Sequence, residues 1–228
     1  MKKIILPVAF MLSSVIGIAQ EYVVKSASKL EGAPPEFAAY GEREMVTTIK
    51  GNKIKSETTS MMGTETRLYD GKTHTFLVDM MGNKMGYVAT DAEMDAHAKS
   101  KDAKPKVETT TEKKTIAGYE CTKSIVTSTG KDNKEQKITV WATDKINFDL
   151  SKVKKDAQSR MMDFGDLKGY PMSIETDIAI QGQNMKLVIA TTEVSTKPVD
   201  DSAFKVSTEG YKMMTYAEAM DMMKSMAR

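Results

Sequence analysis

Methionine is the residue type whose number and spacing could do chemistry here. Of 19 methionines in 228 residues, 17 lie beyond position 19, and ten of those form adjacent pairs: Met61-Met62, Met80-Met81, Met161-Met162, Met213-Met214 and Met222-Met223. Thioethers are soft ligands suited to Cu(I). Met94 and His97 stand one helical turn apart, a spacing that would put an S and an N ligand on one helix face. Against a copper-handling role, neighbouring residues of a strand point to opposite faces, and two pairs precede Gly63 and Gly82 as hairpin ends do. The other use of methionine is adaptable packing of cores and apolar surfaces. No metal site is therefore expected, and copper handling ranks behind the readings below.

Other chemistry-bearing residues are few. Cys121 is the one cysteine, and His74 and His97 are the two histidines. That excludes a disulfide framework, a paired-cysteine zinc or redox site, and most histidine-based metal centres. As a nucleophile Cys121 would need one of the histidines as its base; as a residue in mid-strand it reads as structural. Asp200-Asp201 and the scattered carboxylates lack the Asp-rich, Gly-centred loop of a calcium site. No Gly-x-Ser-x-Gly elbow, phosphate loop or dinucleotide fingerprint is present. The chain is expected to be no enzyme and to use no cofactor. With 33 basic and 31 acidic residues it has a net charge of +2 and no basic stripe, so no nucleic-acid partner is expected.

The first residues describe a destination. Lys2 and Lys3 precede an apolar run of about 15 residues ending in Gly17-Ile18-Ala19, the parts of a secretory signal peptide. Cleavage is expected between Ala19 and Gln20. The run falls short of the roughly 20 apolar residues that span a bilayer, and nothing later is apolar enough to do so. The expected domains are a signal peptide over 1–19 and a single β-rich domain over 20–228, periplasmic or secreted. Loss of Lys2 and Lys3 leaves 31 basic against 31 acidic residues, so the slight basicity belongs to the export signal.

The elements that must position everything else follow from periodicity. Period-two segments at 22–30, 43–50, 53–60, 64–69, 73–79 and 84–89 are joined by Gly51-Asn52, Asp70-Gly71 and Gly82-Asn83 turns, which predicts an antiparallel meander. Thr90-Asp91-Ala92-Glu93 is a capping box opening a short helix to about Lys99. Residues 100–114, rich in Lys, Glu and Thr, read as a solvated loop feeding a polar edge strand rather than as a linker. Strands follow at 119–128, 136–143, 172–180 and 185–194. Between them Leu150, Val153, Ala157, Met161 and Phe164 form a one-sided apolar stripe, a helix that Gly165 would close. A second capping box, Thr215-Tyr216-Ala217-Glu218, opens a last helix with Tyr216, Ala219, Met220 and Met223 on one face. The fold class expected is mainly β with α (α+β): a curved antiparallel sheet or incomplete barrel of about ten strands with about three covering helices.

Four segments carry a resemblance: Ile116-Ala117-Gly118-Tyr119-Glu120-Cys121-Thr122-Lys123, Val140-Trp141-Ala142-Thr143, Leu167-Lys168-Gly169-Tyr170-Pro171-Met172, and the stretch 204–211. In order and spacing they resemble the exported bacterial family called domain of unknown function 4412. The whole layout is similar to the periplasmic lipoprotein-carrier superfamily, whose incomplete barrel is roofed by helices and holds acyl chains. That resemblance implies a hydrophobic ligand, with lipid or an acylated protein as partner. No lipid-contacting residue of the carriers can be matched here, and Gly118 and Trp141 read as turn and core residues. The ligand-binding residues are therefore left unassigned. The competing reading is a structural or protein-interaction module with a dry core.

Overall fold

The structure, a computed structural model, describes residues 21–97, 104–129, 135–147, 164–180 and 182–226. The expected leader, with Ala19 and Gln20 at its cleavage point, lies outside the described residues. So does the helix expected over 150–164, apart from Phe164. The described strands are β1 (Glu21–Glu31), β2 (Arg43–Lys50), β3 (Lys53–Ser60), β4 (Gly63–Tyr69), β5 (Thr73–Met80), β6 (Asn83–Thr90), β7 (Lys106–Ile116), β8 (Tyr119–Thr129), β9 (Glu135–Thr143), β10 (Tyr170–Ile180), β11 (Gln183–Ser195) and β12 (Lys212–Met214). They form one open sheet in the order β12-β6-β5-β4-β3-β2-β1-β11-β10-β9-β8-β7. The described helices are α1 (Pro35–Gly41), α2 (Asp91–His97) and α3 (Tyr216–Met226), with a 3-10 turn at Asp201–Phe204.

The expectation of about ten antiparallel strands needs two corrections. Among the described residues there are twelve, and the sheet is mixed, because β12 runs parallel to β6. The direction follows from the route of the chain. Phe204 packs against Leu68 and Val23 on one face, and the chain then reaches the Lys84 end of β6, where the Lys84 ammonium lies 5.7 Å from the Tyr211 ring centroid. It therefore joins the edge at the start of β6 and runs alongside it. Helix α1 is the second unexpected element. Its Pro34-Pro35 pair reads as a loop, yet a proline at the first helical position has a preset φ and lacks only an amide that would be unpaired anyway. One hairpin turn also shifts by a residue: β5 runs to Met80 and the turn is Met81-Gly82, at φ 52° and 85°. Positive φ at both central residues is what a type I′ turn requires.

The rest of the local structure follows the sequence signals. Asp70 Oδ1 accepts from the amides of Lys72 (2.9 Å) and Thr73 (2.8 Å), closing the β4–β5 turn. Ala117-Gly118 forms a tight turn between β7 and β8, both at positive φ. Both capping boxes are made. The Thr90 amide donates to Glu93 Oε2 at 2.7 Å and the Thr215 amide to Glu218 Oε2 at 2.8 Å. These hydrogen bonds hold both carboxyls below the usual carboxylate range. The polar segment becomes β7, an edge strand laced by ion pairs such as Lys113–Glu120 and Lys123–Glu112. Charge on an edge discourages a further strand from pairing there.

The two faces of the sheet differ in chemistry. On one, which we call the Tyr22 face, cross-strand partners run Tyr22, Ile49, Ile54, Tyr69, His74, Ala89 from β1 to β6. Most of the core lies on it. Tyr22, Val24, Ile49, Tyr170 and Met172 form one buried cluster. Tyr87 and Ala89 receive Met94 of α2 and Tyr216, Ala219 and Met220 of α3 in another. Val126, Ile138 and Val140 receive Phe164 and Leu167 in a third. The expected apolar stripe of the last helix thus packs on the sheet.

Candidate functional site

Between the second and third clusters the Tyr22 face crosses β2, β1, β11 and β10. The ladder places Leu30 opposite Leu187, Ser28 opposite Ile189, and Ile189 opposite Ile174. Met45 sits beside Ser26, which pairs with Thr191 on the other side. Leu30, Met45, Ile174, Leu187 and Ile189 are half-buried, whereas Thr47, Thr176 and Thr191 beneath and between them are buried. The opposite face of the same strands carries Lys25, Lys29, Glu44, Glu175, Asp177 and Lys186. Apart from exposed Arg43, which pairs with Ser28 at the end of the Tyr22 face, alternation segregates apolar from charged residues on these strands, as in a sheet with one face turned inward.

Three elements bound this patch. Helix α1 closes one end: Ser28 Oγ donates to the Gly41 carbonyl at 2.6 Å, and a Cβ on Gly41 would stand 2.3 Å from Leu30 Cγ. Phe164 and Leu167 flank it over β8 to β10, and α2 with α3 over β5 and β6. On β4 an ion pair crosses the face, Arg67 Nε to Glu65 Oε1 at 2.5 Å, with the guanidinium 4.7 Å from the Phe76 ring centroid. The two charges neutralise each other within one strand.

The polar groups of the patch are spent on one another. Ser26 Oγ and Thr191 Oγ1 are 3.3 Å apart, Thr47 Oγ1 and Ser56 Oγ 3.4 Å, and Gln136 Nε2 donates to Thr176 Oγ1 at 3.4 Å. Among the described residues no buried side-chain N or O lacks a partner. The hydroxyls thus bridge strands, leaving the half-buried aliphatics to define a surface suited to shape and apolarity. Fully burying a Leu or Ile is worth about 1.5–3 kcal/mol, so each half-buried aliphatic still offers about 1 kcal/mol to whatever covers it.

The residues singled out for chemistry are dispersed. Cys121 is fully buried, and its Sγ donates to the Tyr119 carbonyl at 3.4 Å. Burial pushes its thiol up, the wrong direction for a nucleophile. Ellman's reagent is accordingly expected to label the native protein at a negligible rate and one thiol per chain after unfolding. His74 lies on β5, with seven strands between it and Cys121 in the sheet order, and its Nε2 is 2.9 Å from Asp91 Oδ1. Met94 is buried while His97 is exposed against the edge of the Tyr216 ring, so the helical pair forms no joint site. Asp200 caps the 3-10 turn and Asp201 pairs with Lys50, so both have structural partners. Trp141 packs against the Tyr22 cluster as expected, but only half-buried, with the ammonium groups of Lys114 (4.5 Å) and Lys123 (5.9 Å) over its ring. No group of three or more His, Cys, Asp or Glu that could hold a metal occurs among the described residues.

Comparison with known proteins gives weak structural likenesses and one family. The fold is similar to PNGF-II at 15% identity, over 90% of this chain and 33% of that one, with a TM-score of 0.48; the chain thus spans about a third of its length. It is similar to the lipoprotein LppX of Mycobacterium tuberculosis at 11% identity, over 80% of this chain and 89% of that one, with a TM-score of 0.39. A LolA superfamily protein of Nitrosomonas europaea matches at 12% identity, over 82% and 91% of the two chains, with a TM-score of 0.35. No curated protein sequence matches the chain. The sequence profile of the domain of unknown function DUF4412 matches residues 36–210, most of the chain and all four resembling segments but the last residue of one, and the protein belongs to that family.

Proposed function

We propose that the protein is an exported, non-enzymatic carrier or binding module that holds an apolar, acyl-chain-like ligand on the Tyr22 face. The observation that carries this reading is the bounded patch of half-buried Leu30, Met45, Ile174, Leu187 and Ile189, whose buried hydroxyls are all paired. Such a surface gains by covering methylene groups, at about 0.8 kcal/mol each, and among the described residues it has no unpaired buried side-chain polar atom with which to orient a polar substrate. A lipid or an acylated protein fits that chemistry. Lys2, Lys3 and the apolar run to Ala19 would direct export, with the mature chain starting at Gln20 and forming one domain to residue 228. Among the described residues no helix is long and apolar enough to cross a membrane.

The test is native mass spectrometry of protein recovered from the exported fraction. The expected result is a chain beginning at Gln20 that carries a non-covalent adduct extractable by organic solvent. The stripped protein should take up a fluorescent fatty acid, and Ile189→Ser with Leu187→Ser should weaken that uptake about thirtyfold by removing roughly 1 kcal/mol of contact at each position. An exported protein that carries no adduct and leaves the probe unbound would favour a dry interaction module instead.

A further inference from the structure

Two hairpin tips of the meander meet at one corner of the sheet. Met61-Met62 joins β3 to β4, since Ser60 pairs with Gly63, and Met80 and Met81 stand at the neighbouring tip, since Gly63 pairs with Met80 and Met80 with Asn83. The tips are stitched together: the Met81 amide donates to the Met62 carbonyl at 3.3 Å. Gly63 permits the close approach, because a Cβ there would stand 1.8 Å from the Asp79 carbonyl oxygen. Two pairs thus emerge on adjacent strands, about 4.8 Å apart. Met61, Met62 and Met81 lie in turns and escape the strict alternation that sends strand neighbours to opposite faces, and Met80 ends β5 beside them.

These methionines do not serve the core. Met61, Met80 and Met81 are 62%, 43% and 79% exposed, while Met62 is half-buried. Met81 holds φ at 52°, a conformation that type I′ turns ordinarily give to Asn, Asp or Gly. An exposed apolar side chain in a strained turn position has a cost with no packing return, and such departures gather at functional sites. The backbone is meanwhile held by other groups. Ser60 Oγ accepts from the Met62 amide at 3.2 Å and Asp79 Oδ1 from the Gly82 amide at 3.0 Å.

We infer that Met61, Met62, Met80 and Met81 form a surface site for Cu(I), a second property that does not rest on the apolar-ligand reading. Four neutral, polarisable sulfurs on a rigid double turn suit a soft monovalent ion, whereas hard cations would find no oxygen cage. The nearest histidine along these strands, His74, lies six residues down β5 from Met80, about 20 Å away, and the Asp79 carboxylate at the same tip is engaged by the Gly82 amide and Lys84, which leaves the thioethers as the donor set. Thioethers carry no proton to displace, so affinity should stay level between pH 5 and 8 where His or Cys sites weaken.

The experiment uses the chain from Gln20 onward, titrated with Cu(I) in ascorbate under nitrogen against a chromophoric chelator. One ion per chain should bind more tightly than about micromolar, equally at pH 5 and 8. Changing all four residues to leucine, which keeps the apolar surface, should weaken binding on the order of 100-fold. Methyl resonances of those four methionines should shift with Ag(I), a redox-silent surrogate, in the parent protein. No binding tighter than micromolar, or undiminished binding by a leucine variant with an unchanged melting temperature, would overturn the assignment.

Discussion

Replacing Gly169 by alanine should destabilise the fold by about 3 kcal/mol or more, among the largest effects available to one methyl group in this protein. The residue sits at φ 85°, and a Cβ on it would stand 2.4 Å from the carbonyl oxygen and 2.8 Å from the carbonyl carbon of Thr143. Those are backbone atoms of a buried residue, so no side chain can swing aside. Thr143 faces Tyr170 across the β9–β10 ladder, and its Oγ1 accepts from the Lys145 amide at 3.3 Å. Gly182→Ala is the matched control: its φ is 79° with no atom within 4 Å, so only the left-handed backbone cost of about 1–2 kcal/mol applies. Urea unfolding of both variants separates the two contributions. Equal losses would mean that the close approach at Gly169 is not what fixes the glycine.

That comparison also shows what the sequence could and could not disclose. Turns written in local chemistry were legible, among them Asp70-Gly71 and the capping boxes at Thr90 and Thr215, because each involves residues within a few positions of one another. The strand periods were legible for the same reason. The three residues of β12 are too few for a period, and α1 is hidden behind a proline pair whose turn-forming tendency masks its fitness as a helix start. The candidate site was not legible at all. Leu30 meets Leu187 only because β1 and β11, far apart in the chain, are sheet neighbours in one register. Leu30, Ile174 and Ile189 each read as an ordinary inward strand residue. Only the topology makes them a patch. The Met61-Met62 and Met80-Met81 pairs were visible as oddities, but their juxtaposition depends on Gly63, whose need to be glycine comes from the Asp79 carbonyl on the next strand.

Above pH 10 the protein should lose about 3 kcal/mol of stability through a single side chain, Tyr170. Burial pushes its phenol up to about 12, and a hydrogen bond with the Thr47 side chain only partly opposes that. An unfolded tyrosine titrates near 10. Between roughly pH 10 and 12 the unfolded chain has therefore released a proton that the native chain retains, so stability falls as pH rises; below pH 10 the contribution is intact. Tyr170→Phe should cost about 1 kcal/mol at pH 8, from the lost hydrogen bond to buried Thr47. By pH 12 the order should reverse, the phenylalanine variant being the more stable by about 1 kcal/mol, and chemical unfolding at the two pH values reads the crossing. Parallel stability curves for the two proteins would show that the phenol is solvated in the native state. The crossing also bears on function. Tyr170 on β10 and Thr47 on β2 are linked across β1 and β11, on the same face of those strands as Leu30 and Ile189. If the apolar patch holds its ligand as proposed, ionising this one phenol loosens its floor, and release of a bound fatty acid should follow the same rise in pH.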